Sequence, residues 1–124
     1  MKKQLLALVI FGSSIASAQT WSQDFSSVTA PGLPSGWAPN NVDGLTVSSN
    51  VSAWNFGTNA WVGWNFAADP AHGKVAASTS WYTPAGTSND WLITRSFTVP
   101  VNAVLEWEGL AVEAAFPDGY QVKI

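Results

Sequence analysis

The chain has 124 residues, enough for one domain, and carries a net charge of −3 from 5 basic and 8 acidic residues. So few Lys and Arg residues argue against nucleic acid or anionic lipid as a partner, because contacts with phosphate require basic side chains. The chain contains no cysteine, which excludes disulfides, thiol catalysis and Cys-ligated zinc.

Residues 1–18 have the pattern of a secretory signal peptide. Lys2 and Lys3 precede an apolar run at residues 5–12, and residues 16–18 (Ala-Ser-Ala) form a cleavage site of the A-x-A type. The run is too short to cross a bilayer of about 30 Å as a helix, and no second run follows, so no membrane span is expected. Cleavage would leave three basic and eight acidic residues, a net charge of −5, in a chain secreted or held at the cell surface.

Short apolar and aromatic runs, separated by clusters of Gly, Pro, Asn and Ser, dominate the rest of the chain and predict an all-β domain. We expect a bulge at Gly63, a turn at Asp43-Gly44 and no helix of normal length. About seven short antiparallel strands with no β–α–β pattern predict a jelly roll or other β-sandwich over residues 19–124. In chain order, strands are predicted within residues 20–25, 59–66, 73–81, 91–99, 103–112 and 119–124.

The sequence stops at Ile124 inside a strand-like pattern, without a turn or a polar tail. A domain seldom ends in a core strand, because the neighbouring strand is then left unpaired. We therefore expect the sandwich to be incomplete at this end and further domains to follow in a longer polypeptide.

Catalytic patterns are weak in this sequence. His72 is the single histidine, and no G-x-S-x-G elbow accompanies it to form a serine triad. Glu106 and Glu108 share one strand face and would suit a glycosidase pair, although a solvated strand face has the same pattern. We expect no enzyme activity, with hydrolysis by these two glutamates as the remaining alternative.

Calcium is the small ligand that best suits the surplus of acidic residues. It prefers hard oxygen ligands, which Asp24, Asp43, Asn89 and Asp90 place at strand ends or in loops. No EF-hand loop is present, and turn or capping roles are the alternative for these residues.

Eight tryptophans are the most unusual feature of the composition. Each carries a large apolar ring, so the core of a small domain without disulfides is one place for them. A sugar-binding platform is the other, because aromatic rings stack on sugar faces while nearby polar groups bind hydroxyls. A carbohydrate-binding module, alone or attached to a hydrolase, is thus a second hypothesis, with candidate ligand-binding residues Trp54, Trp61, Trp64 and Trp81.

The order of several short motifs resembles that of the cleaved adhesin domain, also called the choice-of-anchor J domain. An acidic-Phe pair, Asp24-Phe25, ends the first predicted strand. The resemblance covers nearly all of residues 21–124, although Arg95 stands where the family usually has Pro. The other motifs, in chain order, are "LPSGW" (33–37), "GKVAASTSW" (73–81), "NDWLIT" (89–94), "LEW" (105–107) and "FPDGYQV" (116–122).

This resemblance implies a jelly-roll sandwich similar to MAM-type domains, and adhesion or binding in place of catalysis. The family occurs in gingipain-type haemagglutinin regions and in surface proteins exported by type IX secretion, where partners are extracellular proteins or glycans. Some members hold structural calcium near the acidic-Phe pair and before the "WLIT" strand. The resemblance therefore implies that Asp24 and Asp90 are the first calcium ligands to test, followed by Asn89.

Overall fold

The computed structural model describes residues 21–66, 73–113, 115, 116 and 118–124. The predicted signal peptide, residues 1–18, and His72 lie outside this part. The all-β class is confirmed, because strands in small antiparallel sheets are accompanied only by one short 3-10 helix among the described residues. The elements are β1 (Ala38–Asn41), the 3-10 helix (Ser49–Trp54), β2 (Val62–Asn65), β3 (Lys74–Ala77) and β4 (Asp90–Ile93).

The first sheet is an antiparallel ribbon of β1 and β4. Ala38 lies opposite Ile93 at one end of the ribbon, and Asn41 lies opposite Asp90 at the other. Proline has no backbone N–H to donate to a ladder, so within sheets it is confined largely to edge strands. Both strands of a two-stranded ribbon are edge strands, so β1 can contain Pro39.

The second sheet is an antiparallel ribbon of β2 and β3. The predicted bulge at Gly63 is wrong, because Gly63 pairs one-to-one with Ala76 in a regular register. Gly63 instead permits a close approach of two backbones. Its amide donates to the carbonyl of Pro31 at 2.9 Å, and a Cβ added to Gly63 would overlap the carbonyl oxygen of Gly32.

A small core surrounds the second ribbon. Val62, at the start of β2, has no exposed surface. The Nζ of Lys74 donates to the carbonyls of Ser26 at 2.9 Å and Val28 at 2.6 Å, which ties the N-terminal segment to β3. The buried hydrophobic residues are Val28, Phe56, Ala60, Val62, Ala77 and Tyr82.

Several predicted strands are not formed. Residues 21–25, 94–99, 103–112 and 119–124 are irregular, so the estimate of seven strands is wrong for the described residues. An alternating pattern becomes a strand only when a neighbour completes its hydrogen bonds, and these segments have no such ladder. The jelly-roll topology, which requires two larger sheets, stays a prediction.

Within the described residues, none of the helical structure is long and apolar enough to cross a membrane.

We expect Gly63→Ala to lower the free energy of unfolding by about 1–3 kcal/mol, because its methyl group would force two packed backbones apart. Gly119→Ala is the matched control, since a Cβ there meets nothing within 4 Å and should change stability by no more than about 0.5 kcal/mol. Urea unfolding measures both. Equal unfolding midpoints for the two variants would contradict the close approach at Gly63.

Candidate functional site

Polar side chains converge at the Asn41/Asp90 end of the first ribbon. The chain bends at residues 42–43 and Gly44 follows with φ +65°, as the Asp-Gly pair predicts. Asp43 Oδ1 accepts from the amide of Leu45 at 2.8 Å. Asp43 Oδ2 accepts from the amide of Asn89 at 2.5 Å, so one carboxylate joins two loops 46 positions apart in the chain.

A hydrogen-bonded group of three side chains lies beside the hydrogen bond between Asp43 and Asn89. The hydroxyl of Tyr82 donates to Asp90 Oδ2 at 2.5 Å. Ser88 Oγ lies 2.9 Å from the tyrosine oxygen and donates to the same carboxylate oxygen at 3.2 Å. Burial and the neighbouring carboxylate of Asp90 both raise the pKa of Tyr82 well above its usual range. Tyr82 therefore stays a neutral hydrogen-bond donor in the folded protein.

The predicted metal ligands Asn89 and Asp90 are adjacent at this end of the ribbon, but most of their oxygens already accept hydrogen bonds. Asn89 Oδ1 accepts from Trp91 Nε1 at 2.9 Å. Asp90 Oδ1 differs, because it is buried and accepts no hydrogen bond from the described residues. A buried carboxylate oxygen without a partner is costly, so this is the oxygen of the group that a bound cation would stabilise.

The third predicted metal ligand, Asp24, lies elsewhere. Its Oδ1 accepts from the amide and the hydroxyl of Ser26 at 3.0 and 2.9 Å, and these bonds lower the pKa of Asp24, the backbone bond most. The neighbouring ring of Phe25 packs edge-on against Trp37, 5.3 Å away. Trp37 directly precedes β1, so this neighbourhood is at the Ala38 end of the ribbon, opposite to Asp90.

The structure therefore does not bring Asp24 together with Asn89 and Asp90. Calcium takes six to eight oxygen ligands, yet among the described residues no group of three or more acidic, histidine or cysteine side chains could hold a metal ion. Asp90 Oδ1 fits one ligand position, and the others would have to come from backbone carbonyls, side-chain amides or water. Calcium binding stays a prediction of the family resemblance.

An aromatic cluster that the sequence did not predict lies at the Ala38 end of the ribbon. The ring of Trp21 stacks on Phe97 at 4.7 Å and lies 6.1 Å from the ring of Trp37. The guanidinium of Arg95 lies 5.9 Å from the Trp21 ring. Arg95, which departs from the family pattern, thus packs as a cation against an aromatic face.

The four tryptophans proposed as sugar platforms differ in exposure. Trp54 stacks on Trp64 with ring centroids 4.7 Å apart and nearly parallel planes, and it also stacks on Phe56 at 6.1 Å. Trp61 is partly buried, and its Nε1 is buried without a partner. Trp81 is 56% exposed. Among these four, only Trp81 offers most of its surface to a ligand.

A small cleft runs beside the 3-10 helix and has a volume of about 260 Å³. Its lining contains only neutral side chains. Glu106 and Glu108 lie outside the cleft, on an exposed segment. The residues lining the cleft are Val47, Ser48, Ser49, Val51, Ser52, Asn55, Phe56 and Gly57.

The chain matches no protein-family model, no curated protein and no solved structure. The resemblance to the cleaved adhesin domain therefore rests on the motifs alone.

We expect Tyr82→Phe to lower the free energy of unfolding by about 1–3 kcal/mol, because Asp90 Oδ2 loses a hydrogen-bond donor while the buried ring remains. Tyr120→Phe is the control, since Tyr120 is 67% exposed and its hydroxyl accepts only a solvent-exposed hydrogen bond, from Trp107 Nε1, among the described residues; its loss should change stability by no more than about 0.5 kcal/mol. Chemical denaturation of both variants measures the difference. A smaller loss for Tyr82→Phe than for Tyr120→Phe would count against the hydrogen-bonded group.

The same residue predicts a dependence of stability on pH. Because folding raises the pKa of Tyr82 above the unfolded value of about 10, neutral Tyr82 stabilises the folded state fully below pH 10. This stabilisation is lost as the pH rises above about 10 towards the folded pKa. We expect the free energy of unfolding to fall more steeply in this range for the natural chain than for Tyr82→Phe. If the free energy of unfolding fell equally with pH in the two proteins, the raised pKa of Tyr82 would be contradicted.

Calcium binding predicts a rise in Tm when calcium replaces a chelator, because a ligand that binds only the folded state stabilises it. The geometry assigns this rise to Asp90, whose Oδ1 is buried without a partner. We expect Asp90→Asn to lose the rise and Asp24→Asn to keep it. Thermal unfolding in calcium and in EGTA measures all three proteins. An unchanged Tm for the natural chain would contradict calcium binding.

Proposed function

We propose that the chain is a non-catalytic binding module, secreted or held at the cell surface, that attaches to an extracellular protein or glycan. The observation that carries the proposal is the apolar surface of residues 93–124. Of the fifteen large hydrophobic residues that are exposed in the described part of the chain, all but Val42 and Trp81 lie in this range. Exposed apolar surface of this extent is typical of proteins that bind another surface.

The same range supports the family resemblance. Its residues include the "LEW" and "FPDGYQV" motifs, and Val104, Leu105, Trp107 and Val122 are exposed within them or beside them. In the proposed fold these segments are additional strands of a jelly-roll sandwich. Their side chains would then be covered by strands of neighbouring chain, either in a longer polypeptide or in a bound partner.

The chemistry of the concave surface also favours binding over catalysis. The cleft beside the 3-10 helix is lined by hydroxyls, amides and apolar groups, which bind ligands but do not exchange protons near neutral pH. Glu106 and Glu108 have no hydrogen-bond partner in the described part of the chain that would fix their orientation for acid–base work.

A carbohydrate-binding module is the second candidate function, and the exposure of Trp81 favours it. An indole that is not covered by the protein can stack on a sugar ring. The half-buried, mutually stacked Trp54 and Trp64 are better suited to packing.

We expect the labelled protein to bind saturably to at least one member of a panel of immobilised fibrinogen, fibronectin, collagen, mannan, cellulose and xylan. Glu106→Gln and Glu108→Gln should bind as the natural chain does, and heat-denatured protein is the negative control. Release of reducing sugar from a polysaccharide, lost in either glutamate variant, would overturn the non-catalytic proposal. Absence of binding to every member would count against a binding module.

A further inference from the structure

A second cleft continues the one that lies beside the 3-10 helix. The first cleft lies between residues 47–49 and a segment that ends at Gly57. The second has a volume of about 310 Å³ and lies between residues 44–46 and residues 57–58. Because the two clefts share Gly57 and follow the same two segments, they form one groove. The residues lining the second cleft are Asn41, Gly44, Leu45, Thr46, Gly57 and Thr58.

Hydrogen bonds fix both walls of this groove. At one end, Asn41 Nδ2 donates to the carbonyls of Leu45 and Thr58 at 3.5 Å each, so a single side chain joins the two walls. At the other end, the carbonyl of Ser48 accepts from the amide of Val51 at 3.1 Å. A ligand that enters the groove therefore does not have to order its walls, which lowers the entropic cost of binding.

The groove combines an apolar floor with neutral polar rims. Phe56 is 2% exposed, and Leu45 and Val47 are half-buried. Among the described residues, no Asp, Glu, Lys or Arg lines either cleft. A matching ligand is therefore neutral, with apolar faces and polar edges. The rim side chains that are exposed and make no hydrogen bond within the described part of the chain are Thr46, Ser49, Ser52, Asn55 and Thr58.

These groups favour a sugar chain over a peptide. Hydroxyl and amide side chains both donate and accept hydrogen bonds, as the hydroxyl groups of a sugar do. A peptide that adds a strand needs a row of free backbone groups. The carbonyls of Leu45, Thr46 and Ser48 already accept hydrogen bonds, that of Thr46 from the amide of Thr83 at 2.9 Å. Recognition along this wall therefore falls to side chains.

We propose that the groove binds a neutral oligosaccharide. The sugar rings lie against the apolar floor, and their hydroxyls bond to the rim side chains. Each cleft alone is close to the lower limit of about 300 Å³ for small-molecule sites, so the joined clefts suit a short chain of sugars better than a single ring. This inference rests on the proposed binding function and deepens it by naming the class of ligand.

Isothermal titration calorimetry with neutral oligosaccharides tests the length of the site. The probes are mannohexaose, cellohexaose, xylohexaose and N-acetylchitohexaose, each with the disaccharide of the same sugar. We expect at least one hexasaccharide to bind the natural chain, and its disaccharide to bind at least about tenfold more weakly because it fills only one cleft. Equal affinity for the two lengths would overturn a groove that spans both clefts.

Two glycines with the same backbone conformation supply a matched pair of variants. Gly57 has φ +58° and Gly73 has φ +57°, and a Cβ added to either meets nothing within 4 Å. Asn tolerates this conformation better than most residues. We expect Gly57→Asn, which places a side chain where the clefts meet, to weaken hexasaccharide binding at least about tenfold. Gly73→Asn, which lies outside the groove, should bind like the natural chain.

A second pair removes one hydroxyl without changing the shape of the side chain. Thr58 and Thr29 are both exposed, and only Thr58 lines the groove. We expect Thr58→Val to weaken binding about two- to tenfold, the effect of one lost hydrogen bond, and Thr29→Val to leave it unchanged. Equal Tm values within each pair would establish that lost binding is not lost folding.

The remaining outcomes separate the groove from the proposed binding function. Hexasaccharide binding that is the same in Gly57→Asn and Gly73→Asn would overturn the groove as its site. Binding to fibrinogen, fibronectin or collagen with none to any sugar would also overturn it but leave the binding function standing. Absence of binding to proteins and sugars alike would overturn both.

Discussion

The hydrogen bond from the buried hydroxyl of Tyr82 to Asp90 joins parts of the fold that backbone pairing leaves separate. Among the described residues, the first ribbon and the isolated bridge between Val47 and Tyr82 share no ladder. Tyr82 is buried and Asp90 begins β4, so this side-chain hydrogen bond connects the bridge to the first ribbon. Asp43 strengthens the same junction by holding the amide of Asn89. Each of these bonds places a charged acceptor against a donor, the combination that stabilises most per bond.

The limited core is the feature of the fold that supports the proposed binding function. Lys74 and Gly63 join the N-terminal segment to the second ribbon, and together with the 3-10 helix they bury only a few side chains completely. The large apolar residues of the range 93–124 remain outside that core. Apolar surface that the fold leaves uncovered is surface that a partner can cover.

The sequence predicted the elements in which alternation coincides with an available neighbour, such as β4 within the "WLIT" segment. It failed for residues 103–112, where alternation is equally clear but no strand lies alongside. The sequence did not predict long-range side-chain contacts, because no pattern near Asp43 indicates that its carboxylate accepts a hydrogen bond from the amide of Asn89. Trp81 was named with Trp54 and Trp64, and only their surroundings in the fold distinguish an exposed ring from a stacked pair.

The contact between Ser80 and Asp118 has a thermodynamic consequence for the last residues of the chain. It joins segments 38 positions apart, and Lys123, which lies 4.3 Å from the ring of Trp91, helps to hold the second segment. Each of these contacts offsets part of the conformational entropy that the segment loses when it is ordered. A strand that pairs with residues 118–124 would therefore meet a segment that is already held at two points, which lowers the entropic cost of pairing.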